Sequence, residues 1–249
     1  MKVNLAIGAL LIFFLSVILA VWPYRLSVVQ HEKFNERSGD LSGQEYRLRA
    51  KLRDTPVNSA QFLKLEDELG MVLWQQACPL AQTKFGDAEQ VFRATHAVLK
   101  ARAKPESYDQ DYVSDTQHFA GLLRDQGKFV ESIDLYRETL AYDQQASKGV
   151  DDLKLARDYA NIGLVQYFNA LATEDKILRQ VDFKDGEFNL EKSIEIYRKL
   201  LGPDAQEVGN ELATKALVLR DMGREGEGLR DMKESQRIRA LIKTPSTPP

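Results

Sequence analysis

Phe119-Ala120-Gly121-Leu122-Leu123, followed by Gly127-Lys128-Phe129 and then Ser132-Ile133-Asp134-Leu135-Tyr136, decides how this chain is read. Small residues at Ala120 and Ser132 let two antiparallel helices approach closely, and Leu123 and Tyr136 fill the space beside the crossing. Gly127 ends the first helix. One such hairpin cannot bury its own apolar face, so several must stack. Weaker copies of the spacing recur. The small residues of the first helices align as Gly70, Ala120, Gly163 and Ala216, and those of the second helices as Ala88, Ser132, Ser193 and Gly228. Four positions beyond each second-helix residue stands a large side chain, Phe92, Tyr136, Tyr197 or Met232.

The surrounding sequence is punctuated in the same sense. Pro56, Pro79, Pro105 and Pro203 separate apolar-periodic segments, and residues 106–202 contain no proline. Phe62, Leu65, Leu69, Val72 and Leu73 follow helical spacing, as do Phe85, Ala88, Val91, Phe92, Thr95 and Leu99. Alternating β-branched runs with two-residue turns are missing, which points to an all-α fold.

This arrangement resembles the tetratricopeptide repeat, with small residues at two helix-crossing positions and an aromatic one turn after the second. The long second helices and connectors, as over residues 135–158, look like the variant of about 42 residues found in kinesin light chains. Tyr159-Ala160-Asn161-Ile162-Gly163, and Leu201-Gly202-Pro203-Asp204 with Val208, are similar to that variant. The resemblance covers about residues 62–242. It implies a right-handed superhelix of helical hairpins that binds a protein or peptide partner in a concave groove, without catalytic residues of its own. By the family pattern, the inner face takes Gln117, His118 and Arg124 from the second repeat, Asn161 and Tyr167 from the third, and Asn210, Thr214 and Arg220 from the fourth. Asn161 can donate to and accept from the backbone of an extended peptide, and Arg124 and Arg220 can receive carboxylates through paired hydrogen bonds. Departures are expected at the ends and in the middle. The first repeat carries about six extra residues between its small positions, and the third about eighteen, over residues 172–188, judged against the spacing of Ala120 and Ser132. In the fourth, Glu225 and Gly228 stand where an aromatic and an alanine are usual, as in a polar cap.

The amino terminus reads differently. Between Lys2 and Arg25 there is no charged side chain, and residues 3–22 are apolar apart from Asn4, Gly8 and Ser16. As a helix, 20 such residues span about 30 Å, the thickness of the hydrocarbon core. Pro23 closes the run, and Trp22, Tyr24 and Arg25 are side chains that settle at a bilayer interface. One membrane crossing is the expectation; a cleaved signal segment ending near Ile18-Leu19-Ala20 is the alternative, which would leave a secreted or periplasmic adaptor. Only Lys2 precedes the run, whereas Arg25, Lys33 and Arg37 follow it, offset by Glu32 and Glu36. That bias alone would keep the following domain in the cytoplasm, but a short positive start is the pattern of export, so an extracytoplasmic domain is expected. Residues 23–58 then read as a juxtamembrane linker in which Arg47, Arg49, Lys51 and Arg53 alternate, residues 59–243 as the repeat domain, and the Pro- and Thr-rich residues 244–249 as a disordered tail.

Composition removes other classes. Across 249 residues, 34 Lys and Arg against 37 Asp and Glu give a net charge of -3, which offers no pull toward nucleic acid. Cys78 is alone, and His31, His96 and His118 lack helical metal spacing, so no metal is expected. Phosphate-cradling and nucleophile-turn motifs are absent, and no cofactor is expected. Glu66-Asp67-Glu68 and Asp151-Asp152 read as solvated faces or helix starts. An enzymatic alternative would place a site in residues 172–188 or around His96.

Overall fold

The computed structural model describes residues 41–77, 83–104, 108–148 and 150–243. The expected membrane segment (3–22), the first part of the expected linker (23–40) and the tail (244–249) lie outside the described residues, as do Cys78, Pro79 and Pro105. Among the described residues no helix is long and apolar enough to cross a membrane.

The described chain is built of helices: α1 (Leu41–Asp54), α2 (Ala60–Ala77), α3 (Thr83–Arg102), α4 (Gln110–Asp125), α5 (Phe129–Ser147), α6 (Leu153–Ala172), α7 (Lys176–Leu201), α8 (Gln206–Asp221) and α9 (Glu225–Lys243). Each packs mainly on the helix before and the helix after it, so α2/α3, α4/α5, α6/α7 and α8/α9 are four hairpins in a row. The predicted all-α solenoid is what forms. α1 corrects one boundary. Part of the expected linker is a helix laid on hairpin 1, with Leu48 buried among Leu69, Trp74 and Phe92. Glu45 accepts from Arg49 at 3.0 Å and ties α1 to α3 through Lys84 at 3.1 Å.

The crossings explain why small residues stand where they do. A Cβ added to Gly70 would lie 2.8 Å from the ring of Phe92, and one added to Gly228 would lie 2.7 Å from the carbonyl of Ala216. Ser132 donates its hydroxyl to the Ala120 carbonyl at 2.7 Å. In the third hairpin the predicted partner is displaced. Gly163 faces Gly186, where an added Cβ would lie 3.2 Å from the Gly163 carbonyl, and the large side chain against Gly163 is Leu190. Ser193, the predicted partner, lies seven residues further on, at a second level of contact shared by the four hairpins. Thr95, Thr139, Ser193 and Ser235 are all fully buried there. At that level Ser235 donates to the Gly209 carbonyl at 2.6 Å. Seven residues are nearly two helical turns, so both levels lie on the same face.

The insertion shrinks accordingly. Gly163 and Gly186 are 23 positions apart against 12 for Ala120 and Ser132, eleven extra rather than eighteen. These extra residues do not form a loop; they lengthen α6 to Ala172 and start α7 at Lys176.

Among the described residues the hairpin turns come in two kinds. After α4 and α8, Gly127 and Gly223 take φ values of 76° and 82°, which a residue without Cβ adopts at little cost. The next amide then reaches back, Lys128 to the Leu123 carbonyl and Arg224 to that of Leu219, each at 2.8 Å. Hairpin 3 reverses without glycine. Asp175 caps α7 by accepting from the amides of Ile177 and Leu178. Asp109 and Asp152 do the same for α4 and α6, so Asp152 is a helix start as expected.

Candidate functional site

Because the first helices α2, α4, α6 and α8 follow one another along the stack, equivalent positions on them form columns. Two positions before the small residue stand Glu68, His118, Asn161 and Thr214. His118 Nδ1 lies 2.9 Å from an Asp67 carboxylate oxygen of the preceding hairpin. Gln117 donates to Asp158 of the following hairpin at 2.9 Å. Asn161 is half-buried and its amide makes no hydrogen bond with any described residue. Asn210 is half-buried as well, and its carbonyl accepts from the Thr214 hydroxyl at 3.3 Å.

Three more of the predicted inner-face residues are committed elsewhere, as Gln117 and His118 are to Asp158 and Asp67. Tyr167 is 2% exposed and belongs to the core with Ala170, Phe183 and Leu190. Its hydroxyl donates to Asp221 at 2.9 Å. The ring is therefore withdrawn from any partner in this conformation. Arg124 holds Asp125 and Arg220 holds Asp221, each through Nε at 2.8 Å. Their charges are answered within the hairpin, so they serve the turns before they can serve a carboxylate ligand. Asp125 is also the acceptor of the Trp74 indole at 3.2 Å. The hairpins thus lock in pairs: an aromatic donor on hairpin 1 or 3 meets an aspartate on hairpin 2 or 4.

Five positions before the small residue lies a column that the sequence reading passed over, Leu65, Asp115, Asp158 and Glu211. Asp115 and Asp158 are fully buried. Burial, then the charges of Asp67 and Glu66, push the Asp115 carboxyl up to about 8. Neither of its oxygens meets a hydrogen-bond donor among the described residues. Asp158 is likewise raised, to about 8, first by burial and then by the neighbouring Asp143, although Gln117 and Thr139 donate to it. Burial raises Glu211 to about 7. Each carboxyl sits where a first helix packs on the hairpin before it, and a carboxyl held neutral there avoids the cost of a buried charge.

His96, the other candidate of the enzymatic alternative, is 9% exposed and closed in by α4 and α5. Its Nδ1 lies 3.1 Å from the Thr116 hydroxyl, which itself donates to the Tyr112 carbonyl. Its Nε2 lies 3.4 Å from Glu138. Burial pushes Glu138 up, but hydrogen bonds from His96, Lys100 and Tyr112 outweigh it and hold the carboxyl at about 2. The network joins α3, α4 and α5. Among the described residues no group of three or more His, Cys, Asp or Glu side chains is placed to hold a metal ion.

No protein-family model matches the chain, and no curated protein matches it in sequence. Solved structures do. A kinesin light chain-type protein of Podosopora anserina with nearly identical TPR-like repeats is similar with a TM-score of 0.66 at 14% identity, over 90% of this chain and 99% of that one. BtubC (BKLC) from P. vanneervenii is similar with a TM-score of 0.67 at 15% identity, over 89% of this chain and 83% of that one. At such identity the likeness shows the fold: this chain is a solenoid of TPR-like helical hairpins.

Proposed function

We propose that the chain is a scaffold that holds a protein or peptide partner along the wall of its first helices and is tethered to a bilayer by residues 3–22. The observation that carries the binding reading is the Asn161 amide, half-buried at mid-stack and without a hydrogen bond to any described residue, between Gln117 and His118 on one side and Asn210 and Thr214 on the other. A side-chain amide in that position can pair with an extended backbone whatever its sequence. The fold is of a kind commonly used for protein interaction, and tethering supports a weak groove by raising local concentration. Catalysis is not part of this reading.

A photoreactive residue at position 161, compared with one at the exposed position 233 on α9, tests it in the cell. A polypeptide captured at 161 and not at 233 is the expected result. Asn161→Ala with Asn210→Ala should lower capture at a neighbouring probe while helicity is unchanged; capture by this folded variant at the original level would overturn the model. Arg124 and Arg220 are left in place because their loss would loosen the turns. The mass of the mature chain separates a retained anchor from a cleaved signal.

A further inference from the structure

Hairpin 3 outgrows its neighbours at one edge of the solenoid. In the turn of hairpin 4, Arg224 reaches Glu187 at 2.6 Å, and just after the turn of hairpin 2, Phe129 stacks on Phe168. Residues 169–186 therefore project past the turns on both sides. At 1.5 Å per residue, the first ten residues of α7 carry the tip about 15 Å further. This tip is built rather than frayed. Asp175 caps α7, Arg179 donates from Nε and Nη2 to the Thr173 carbonyl, and Asn169 donates to Asp182 at 2.8 Å. Phe183 fills the space beneath.

The outside of this braced tip is apolar. Leu171, Ile177, Leu178 and Val181 are 46%, 76%, 56% and 47% exposed. The charges around them, Glu174, Asp175, Lys176, Arg179 and Asp182, sum to -1, so the surface offers little electrostatic pull of either sign. What it offers is hydrocarbon.

The start of the described chain says what covers it. Gln76, at the carboxy end of α2, donates to the Leu41 carbonyl at 3.0 Å, which places the beginning of α1 at the edge where the hairpins turn. Lys128 to Glu89 and Gln126 to the Phe85 carbonyl tie the turn of hairpin 2 to the start of α3 at that same edge. Eighteen residues, 23–40, join it to the apolar run 3–22. We infer that the tip of hairpin 3 inserts Leu171, Ile177, Leu178 and Val181 into the interfacial layer of the bilayer that holds residues 3–22. This rests on the tethered reading above and adds a second point of contact, so that the helices stand on the membrane by their turns.

The test uses the full chain with Cys78→Ser and one added cysteine carrying an environment-sensitive fluorophore, Ile177→Cys at the tip or Val150→Cys at the opposite edge. The vesicles are phosphatidylcholine with brominated acyl chains. Expected are flotation with the vesicles, a blue-shifted label at 177 quenched several-fold more than the label at 150, and loss of quenching at a Val181→Cys label when Ile177→Glu and Leu178→Glu are added, with flotation kept. Flotation with equal, weak quenching at 177 and 150 would overturn the tip contact and leave the tether standing. Absence of flotation would overturn both. A disulfide between two unlabelled Ile177→Cys chains under a mild copper-phenanthroline oxidant, in place of quenching at the labelled one, would make a second copy the occupant and overturn the bilayer as ligand.

Discussion

Hairpins 2 and 3 pack through the same two levels of small residues, yet hairpin 2 turns back soon after its crossing on a glycine while hairpin 3 runs on and reverses on an aspartate cap. The stack is fixed at the crossings, where Ser132 meets Ala120 and Gly186 meets Gly163. Length beyond the crossing is free of that duty, which is why apolar side chains on the extension can face outward without disturbing the core.

The hardest test of this equivalence is truncation at the large side chain that follows each crossing. Leu190→Ala should destabilise by about 2–5 kcal/mol and Tyr136→Ala by about 3–5 kcal/mol, read from urea unfolding. A negligible loss at Leu190 would mean that hairpin 3 crosses elsewhere. Overfilling comes next. Gly186→Val should cost about 1–3 kcal/mol, because the new side chain meets the backbone of Gly163, whereas Gly226→Val, in open space on α9, should change stability by no more than about 0.5 kcal/mol.

Asp158→Asn probes the joint between the two hairpins through pH. A carboxyl ordinarily near 4 and raised to about 8 in the fold binds its proton more tightly when folded, so its stabilising effect is full below about 4 and is lost as pH rises toward 8. Asp115 and Glu211 act in the same direction, while Glu138, lowered to about 2, favours the fold above about 4 and loses that effect in stronger acid. Melting temperature should therefore fall between pH 5 and 8, and Asp158→Asn should flatten that fall by up to about 1.4 kcal/mol per pH unit. An unchanged slope would show that Asp158 is charged in the fold. The smallest effect is expected from Ser132→Ala, about 1 kcal/mol for one buried hydrogen bond, with the helical signal intact.

The sequence made the hairpins legible because glycine, alanine and serine at a crossing leave a mark independent of their neighbours. It misled in hairpin 3 for a geometric reason: a small residue recurs seven positions on, at Ser193 after Gly186 as at Thr139 after Ser132, and the large residue after the true crossing is an aliphatic leucine. The candidate wall was legible only in part. Gln117, His118, Asn161, Asn210 and Thr214 stand on first helices as expected, but whether a long side chain at a given column faces outward depends on what the next hairpin offers it. Tyr167 turns inward because Asp221 awaits its hydroxyl, and Trp74 finds Asp125 in the same way. That signal is present in Arg124-Asp125-Gln126-Gly127 and Arg220-Asp221-Met222-Gly223, but only when two hairpins are read together.

Those paired locks also set how the solenoid answers force. Trp74 bolts hairpin 1 to 2 and Tyr167 bolts hairpin 3 to 4, while the middle is joined by Gln117 and Thr139 on the buried Asp158, by Gln144 on the Tyr159 hydroxyl and by Phe129 stacked on Phe168. Pulled from its two ends, the solenoid would meet a different resistance at its joints: an aromatic hydrogen bond at the outer two, a buried carboxyl at the middle one.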